Sequence, residues 1–162
     1  MDARISVDLK ELEALTKRYP EESLKARRSR VSEVVLFLQR KIVLKTPEGA
    51  GPIHLRDTIF SALSFGEPVT GTVGTPAVYG EAVEFGRGPA FPPIAPILFW
   101  VEKKLGLEGK EAKSAAYAIA TVMSRSTRLG VHMFEKGFKE NEAKVKEILE
   151  RIPADIVKAV SA

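Results

Sequence analysis

The chain contains no cysteine, which removes disulfides, thiolate chemistry and the usual zinc sites together. No apolar run approaches the roughly 18 residues a membrane span needs, and the densest stretch, Ile94 to Val101, is far too short. The opening residues, MDARISVDLKELE, carry acids early and no apolar segment, so they do not read as a secretory signal. Asn and Gln occur once each, as Asn141 and Gln39, while Lys, Arg and Glu are plentiful. Scarce thermolabile side chains beside many ion-pairing ones follow a trend of heat-adapted proteins, which says nothing about activity. The glycine-rich strings Gly49-Ala50-Gly51 and Gly86-Arg87-Gly88 lack the spacing of a nucleotide-phosphate loop opening a helix. Their glycines are expected to serve backbone geometry.

What is present is an ordinary soluble globular composition, 44% hydrophobic and 28% charged over 162 residues, enough for one domain with a real core. The expectation is a soluble protein made inside a cell. The net charge of +4 is unevenly spread. Residues 1–50 hold 11 Lys/Arg against 8 Asp/Glu, residues 101–162 hold 12 against 9, and the middle 51–100 holds 2 against 4. The one tight basic cluster is Arg27, Arg28 and Arg30. A nucleic-acid domain usually shows a broader basic stripe interleaved with aromatics, whereas only Tyr19 and Phe37 lie near this one. A small nucleic-acid-binding protein using this helix face is the alternative reading. A solvated face, or a contact to an acidic subunit, is the more ordinary use.

The alternation in ARISVDL predicts a short opening strand, followed by a brief helix carrying Leu9, Leu12 and Leu15 that stops at Tyr19-Pro20. A long helix is predicted from Pro20 to about Lys45. Pro20 suits its first turn, Glu21 and Glu22 suit its positive end, and Pro47 forbids a helical Thr46. Leu24, Val31, Val35, Leu38 and Ile42 form its apolar stripe. Residues 47–54 form a Gly/Pro loop. Asp57–Phe65 and Val69–Val73 read as two β segments joined at Gly66-Glu67-Pro68. Thr75, Pro76 and Gly86 bracket a short helix over 76–85 with Tyr79 and Val83 inward, and 86–93 is a second, Pro-rich loop.

The last third reads as helices over 95–105, over 110–126 with Ala115, Ile119, Val122 and Met123 on one face, and from about His132 onward. The final stripe is Phe134, Phe138, Val145, Ile148, Leu149 and Ile152, and Pro153 kinks or restarts the helix. The fold class is therefore α+β. A small antiparallel sheet is packed against a long N-terminal helix, with a helical C-terminal third. The chain is read as a single domain: an opening strand and short helix over 1–19, a core over 20–150, and a helical extension over 151–162.

No catalytic constellation stands out, and neither a cofactor nor a metal is expected. His54 and His132 have no carboxylate at ligand spacing, and Ser61, Ser64 and Thr72 have no histidine placed beside them. Glu81 and Glu84 are the best carboxylate pair, three apart on one helix face. Glu84 falls at the helix C-terminal end, where the dipole disfavours it, so a structural ion pair with Arg56 or Arg87 is expected. Phe99, Met133, Phe134 and Phe138 read as helix core, whereas Phe91 and Trp100 suit a protein–protein contact.

Taken in order, several strings resemble the tail-component, or neck and tail-completion, proteins of long-tailed double-stranded DNA phages. They are Thr46-Pro47 and a Gly loop, Leu55-Arg56-Asp57-Thr58-Ile59, Val73-Gly74-Thr75, and Tyr79-Gly80-Glu81-Ala82-Val83-Glu84-Phe85-Gly86. Ala116 to Phe134, an apolar helix and then an SRSTRLG turn leading into Met133-Phe134, is similar to the family's C-terminal part. The resemblance spans roughly residues 20–150. The chain departs from the family's Thr-Gly before the LR string, carrying Ala50-Gly51-Pro52-Ile53-His54 instead, and its loop after Gly86 is unusually proline-rich.

The resemblance implies a structural virion protein without catalysis: a ring, a hexamer when assembled, at the head–tail junction or the top of the tail. It would be made in the host cytoplasm, and its partners would be itself and other connector and tail-tube proteins. It would not meet a membrane, and its only DNA would be that passing through the ring. The two loops, 47–54 and 86–95, are the expected subunit interface, with Phe91 as anchor, Arg87 as charged contact, and Glu48, His54 and Pro92 beside them.

Overall fold

The structure, a computed structural model, describes residues 10–48, 54–64 and 66–161. The opening strand expected over ARISVDL, the middle of the first loop and Phe65 lie outside the described residues. The fold class is α+β, as the sequence pattern implies. The chain divides into two compact units: Met1–Lys45, Ile59–Thr75 and Met133–Ala162 form the first, and Thr46–Thr58 with Pro76–His132 form the second.

In the first unit a short helix, α1 (Lys10–Arg18), leads directly into the long helix α2 (Pro20–Lys45). The ends of α2 fall where Pro20 and Pro47 put them. Val35, Leu38 and Ile42 are buried as the stripe predicts, and so are Ser23, Ala26 and Val34, because α2 is covered from several sides. The turn between the helices is closed by a 2.9 Å hydrogen bond between the hydroxyls of Thr16 and Ser23.

A hairpin packs on the same helix. Strands β1 (Phe60–Leu63) and β2 (Gly71–Gly74) are antiparallel, with Phe60 opposite Gly74 and Leu63 opposite Gly71. Gln39, the one glutamine of the chain, ties α2 to this hairpin. Its Nε2 donates to the Ile59 carbonyl at 2.7 Å, and its Oε1 accepts from the Ser61 hydroxyl at 2.9 Å. The first strand is shorter than its sequence suggests, since Asp57 and Thr58 belong to a 3-10 turn over Leu55–Thr58. There the Thr58 hydroxyl donates to the Leu55 carbonyl at 2.8 Å, a local bond that competes with extended backbone.

The final helix expected from His132 is instead three: α6 (Met133–Lys139), α7 (Glu142–Leu149) and α8 (Ile152–Val160). Asn141 ends the first of these, its Nδ2 donating to the Gly137 carbonyl at 2.8 Å. Pro153 starts the last, in a first turn that needs no N–H from it. The buried positions are Met133, Gly137, Val145, Ile148, Ile152 and Ile156, so Phe134, Phe138 and Leu149 are only partly covered. Ile152 and Ile156 meet Ala26, with Leu12, Leu15, Tyr19 and Leu149 around them. The C-terminal residues thereby close the core at the start of α2.

In the second unit a short helix α3 (Gly80–Phe85) precedes a two-residue strand β3 (Gly86–Arg87), and β4 (Arg128–Leu129) pairs with it antiparallel. Between them α4 (Ile94–Leu105) and α5 (Gly109–Ser124) form a helical hairpin turned at Gly106 in the left-handed region. Val101, Ala112 and Ala116 are its fully buried centre, and Ala120 continues the same row. The inward face of α5 is therefore its alanines, whereas Val122, expected inside, is 68% exposed. Small side chains at steps of four let two helices approach closely, which a ranking by hydrophobicity overlooks. Among the described residues no helix is long and apolar enough to cross a membrane.

One ion pair joins the two ends of the first unit. Arg30 donates Nε to Asp155 Oδ2 at 2.5 Å and Nη2 to Oδ1 at 2.8 Å, and it also holds Glu33. The hydrogen bonds from Arg30 hold the Asp155 carboxyl below its ordinary value despite partial desolvation, and those carboxylates raise the guanidinium. A carboxyl depressed in the folded state stabilises above its unfolded pKa, and that contribution is lost as pH falls through the folded one. Asp155→Asn is therefore expected to cost about 1 kcal/mol at neutral pH, given the partly exposed pair. Urea melts of both proteins should converge as pH drops below about 4.

Candidate functional site

The interface and ion-pair candidates, Glu48, His54, Arg56, Glu84, Arg87, Phe91 and Pro92, belong to the second unit. Glu48 is exposed and accepts from Arg56 Nη1 at 2.7 Å, while Arg56 Nη2 reaches the Thr46 carbonyl at 3.3 Å. His54 is half-buried, and its Nδ1 has no hydrogen-bond partner among the described residues. Phe91 is 50% exposed, and its ring meets Tyr117 of α5 at 5.6 Å, so the loop aromatic is tacked onto a helix rather than left free. Tyr117 itself is 62% exposed, and Pro92 is buried.

Helix α3 starts four residues later than Thr75-Pro76 suggests, with Tyr79 before its first turn. Its inward face also differs: Gly80 and Glu84 are buried, whereas Tyr79 is exposed and Val83 only half-covered. The Glu81/Glu84 pair is thereby split between water and interior. Glu84 is 4% exposed, and Glu81 is exposed.

The most constrained geometry in this unit is the crossing of two backbones just after α3, which sequence reasoning missed. The Val131 N–H donates to the Val83 carbonyl at 2.8 Å and the His132 N–H to the Glu84 carbonyl at 3.0 Å. His132 takes a φ of 57° to do so. One step further, Gly86 lies opposite Leu129 and Arg87 opposite Arg128. Glycine is required on both sides. A Cβ on Gly86 would overlap the Arg128 carbonyl and lie 2.7 Å from the Gly130 nitrogen. One on Gly130 would overlap the Glu84 carbonyl and lie 2.6 Å from the Phe85 carbonyl carbon. Gly86 also has φ 80° and ψ −179°, a conformation essentially confined to glycine. In sequence, Gly86 reads as a helix stop within a glycine-rich string and Gly130 as part of the SRSTRLG turn. The signal that they belong together is the pairing itself.

The basic cluster of α2 is largely engaged within the chain. Arg27 donates to Glu67 at 2.7 Å and to the Ser23 carbonyl at 3.2 Å, and Arg30 is held by Asp155 and Glu33. Trp100 is half-buried, packed against the core of the α4–α5 hairpin. Among the described residues no group of three or more His, Asp or Glu side chains could hold a metal ion. No family model, curated protein or solved structure matches the chain.

The crossing makes a direct prediction. Gly86→Ala and Gly130→Ala should each destabilise the second unit by about 3 kcal/mol, because backbone rather than a flexible side chain must move. Hydrogen exchange read at Val131 and His132 checks this. Their amides should lose protection in both variants, while those of α8 keep theirs.

Proposed function

We propose that the chain is a structural subunit of a tailed phage or prophage. It assembles into a ring at the head–tail junction or the top of the tail, and it performs no catalysis. The observation that carries this reading is the order of the strings from Thr46-Pro47 through LRDTI and VGT to YGEAVEFG, followed by the SRSTRLG turn. The architecture is compatible with it. The long helix ends at the TP string, the LRDT string is a tight turn leading into the hairpin, and YGEAVEFG is the short helix running into the glycine crossing. A stiff fold carrying exposed loops suits heterologous contacts that close into a ring. Phe91 and Tyr117, together at the surface, are the aromatic anchor such a contact would use, and exposed Glu48 is a charged candidate for it. On this reading the neighbours are further copies and other connector and tail-tube proteins, in the virion and, before it, in the host cytoplasm.

Size-exclusion chromatography with light scattering over rising protein concentration tests it. A concentration-driven shift to one closed species, a hexamer by family analogy, is expected. Phe91→Ala should move the midpoint of that shift to at least about tenfold higher concentration with only a small drop in the melting temperature of the monomer. A chain that stays monomeric throughout overturns the self-assembling ring.

A further inference from the structure

The arginines that lie together in the sequence and those that the fold brings together are different sets. Arg27 and Arg30 hold carboxylates of their own unit. Arg87 and Arg128, distant in sequence, stand directly opposite each other in the β3–β4 register. Residues so paired project from the same face with Cβ atoms about 5 Å apart. Arg125 lies at the end of α5, on the approach to β4. Among the described residues none of these three has a carboxylate within ion-pair distance. Composition explains why: neither 85–101 nor 112–134 contains a single Asp or Glu. Of the acids in α3, Glu84 is buried and Glu81 is exposed.

Like charges held opposite one another repel, and here the backbone cannot relax away. Gly86 and Gly130 lock the crossing that sets the register. Arg125 is favoured at a helix carboxyl end by the dipole alone, so the Arg87–Arg128 pair carries the argument. The other face of the ribbon holds Gly86 and Leu129, the latter 90% exposed. The arginine face thus has no apolar ribbon side chain to act as the anchor on which protein–protein contacts depend. Charge without an apolar anchor is what a polyanion needs, and guanidinium forks match phosphate oxygens two at a time.

We propose that the Arg87–Arg128 face of this ribbon binds the sugar–phosphate backbone of duplex DNA without regard to base sequence, with Arg125 beside it. The assignment does not rest on ring assembly, and on it Arg87 meets phosphate rather than a neighbouring subunit.

Fluorescence anisotropy of a labelled duplex, titrated with the full chain between 50 and 200 mM salt, decides it. Each phosphate neutralised contributes about 0.9 to the slope of log affinity against log salt. The double variant Arg87→Ala/Arg128→Ala should flatten that slope by about 2 and weaken binding roughly tenfold or more at the lowest salt. Arg87→Lys/Arg128→Lys should keep the slope while losing part of the affinity. Among the described residues neither has an ion-pair partner, so the melting temperature should not fall and circular dichroism should stay unchanged. The proposal is overturned if the wild-type chain does not bind the duplex at 50 mM salt, or if the alanine variant binds with the same slope. It also fails if Arg27→Ala abolishes binding in place of the ribbon variant. Competition by polyglutamate as effective as by DNA at equal charge would assign the face to an acidic protein and likewise sink it.

Discussion

Helix α2 is apolar on too wide an arc to be covered by one neighbour, and the order of the first unit follows from covering it. Val34, Val35, Leu38 and Ile42 are buried along its second half, and Ser23 and Ala26 along its first. The hairpin takes one side, fastened by Gln39 through both ends of its amide. Helices α6, α7 and α8 take the rest, and the last of them reaches Ala26. A single straight helix from His132 could not follow that path. The breaks at Asn141 and Pro153 let three short helices wrap a 26-residue one. The Arg30–Asp155 pair closes the wrap, a partly buried bidentate contact whose worth lies as much in register as in energy.

The second unit solves a different problem, bringing two loop-borne segments together without a sheet to carry them. Two strands of two residues bury almost nothing, so their pairing has to be enforced by steric fit. Gly86 and Gly130 supply that fit by having no Cβ where the backbones pass. The arrangement fixes side chains at a surface: Arg87 and Arg128 on one face, Leu129 on the other. A surface held by such a clamp loses less entropy on binding than a mobile loop tip does. The same unit displays Phe91 on Tyr117. An exposed aromatic pair and an arginine face thus coexist on one small unit.

Much of the architecture was legible along the chain, because those features are written in local chemistry. Pro20 and Pro47 set the ends of α2, Gly106 ended α4, and the alternation around Gly66-Glu67-Pro68 announced a hairpin. Backbone sterics at proline and glycine act within a residue or two, so they need no tertiary context. Helix faces were less legible. In α5 the bulky Val122 lies outward, and the alanines, weak in any hydrophobic scale, form the close helix contact. In α3 a glutamate lies inward, while the tyrosine just before its first turn lies outward, against one-residue preferences.

Composition, periodicity and steric breaks along the chain suffice for the fold class, the extent of the long helix α2 and the absence of thiol chemistry. Which charges are compensated depends instead on the fold. Arg27 and Arg30, adjacent to other arginines in the chain, find Glu67 and Asp155 across the fold. Arg87 and Arg128, isolated in the chain, are brought together between two segments that carry no acid. Coulomb energy depends on distance through space rather than along the chain, and only the fold sets that distance.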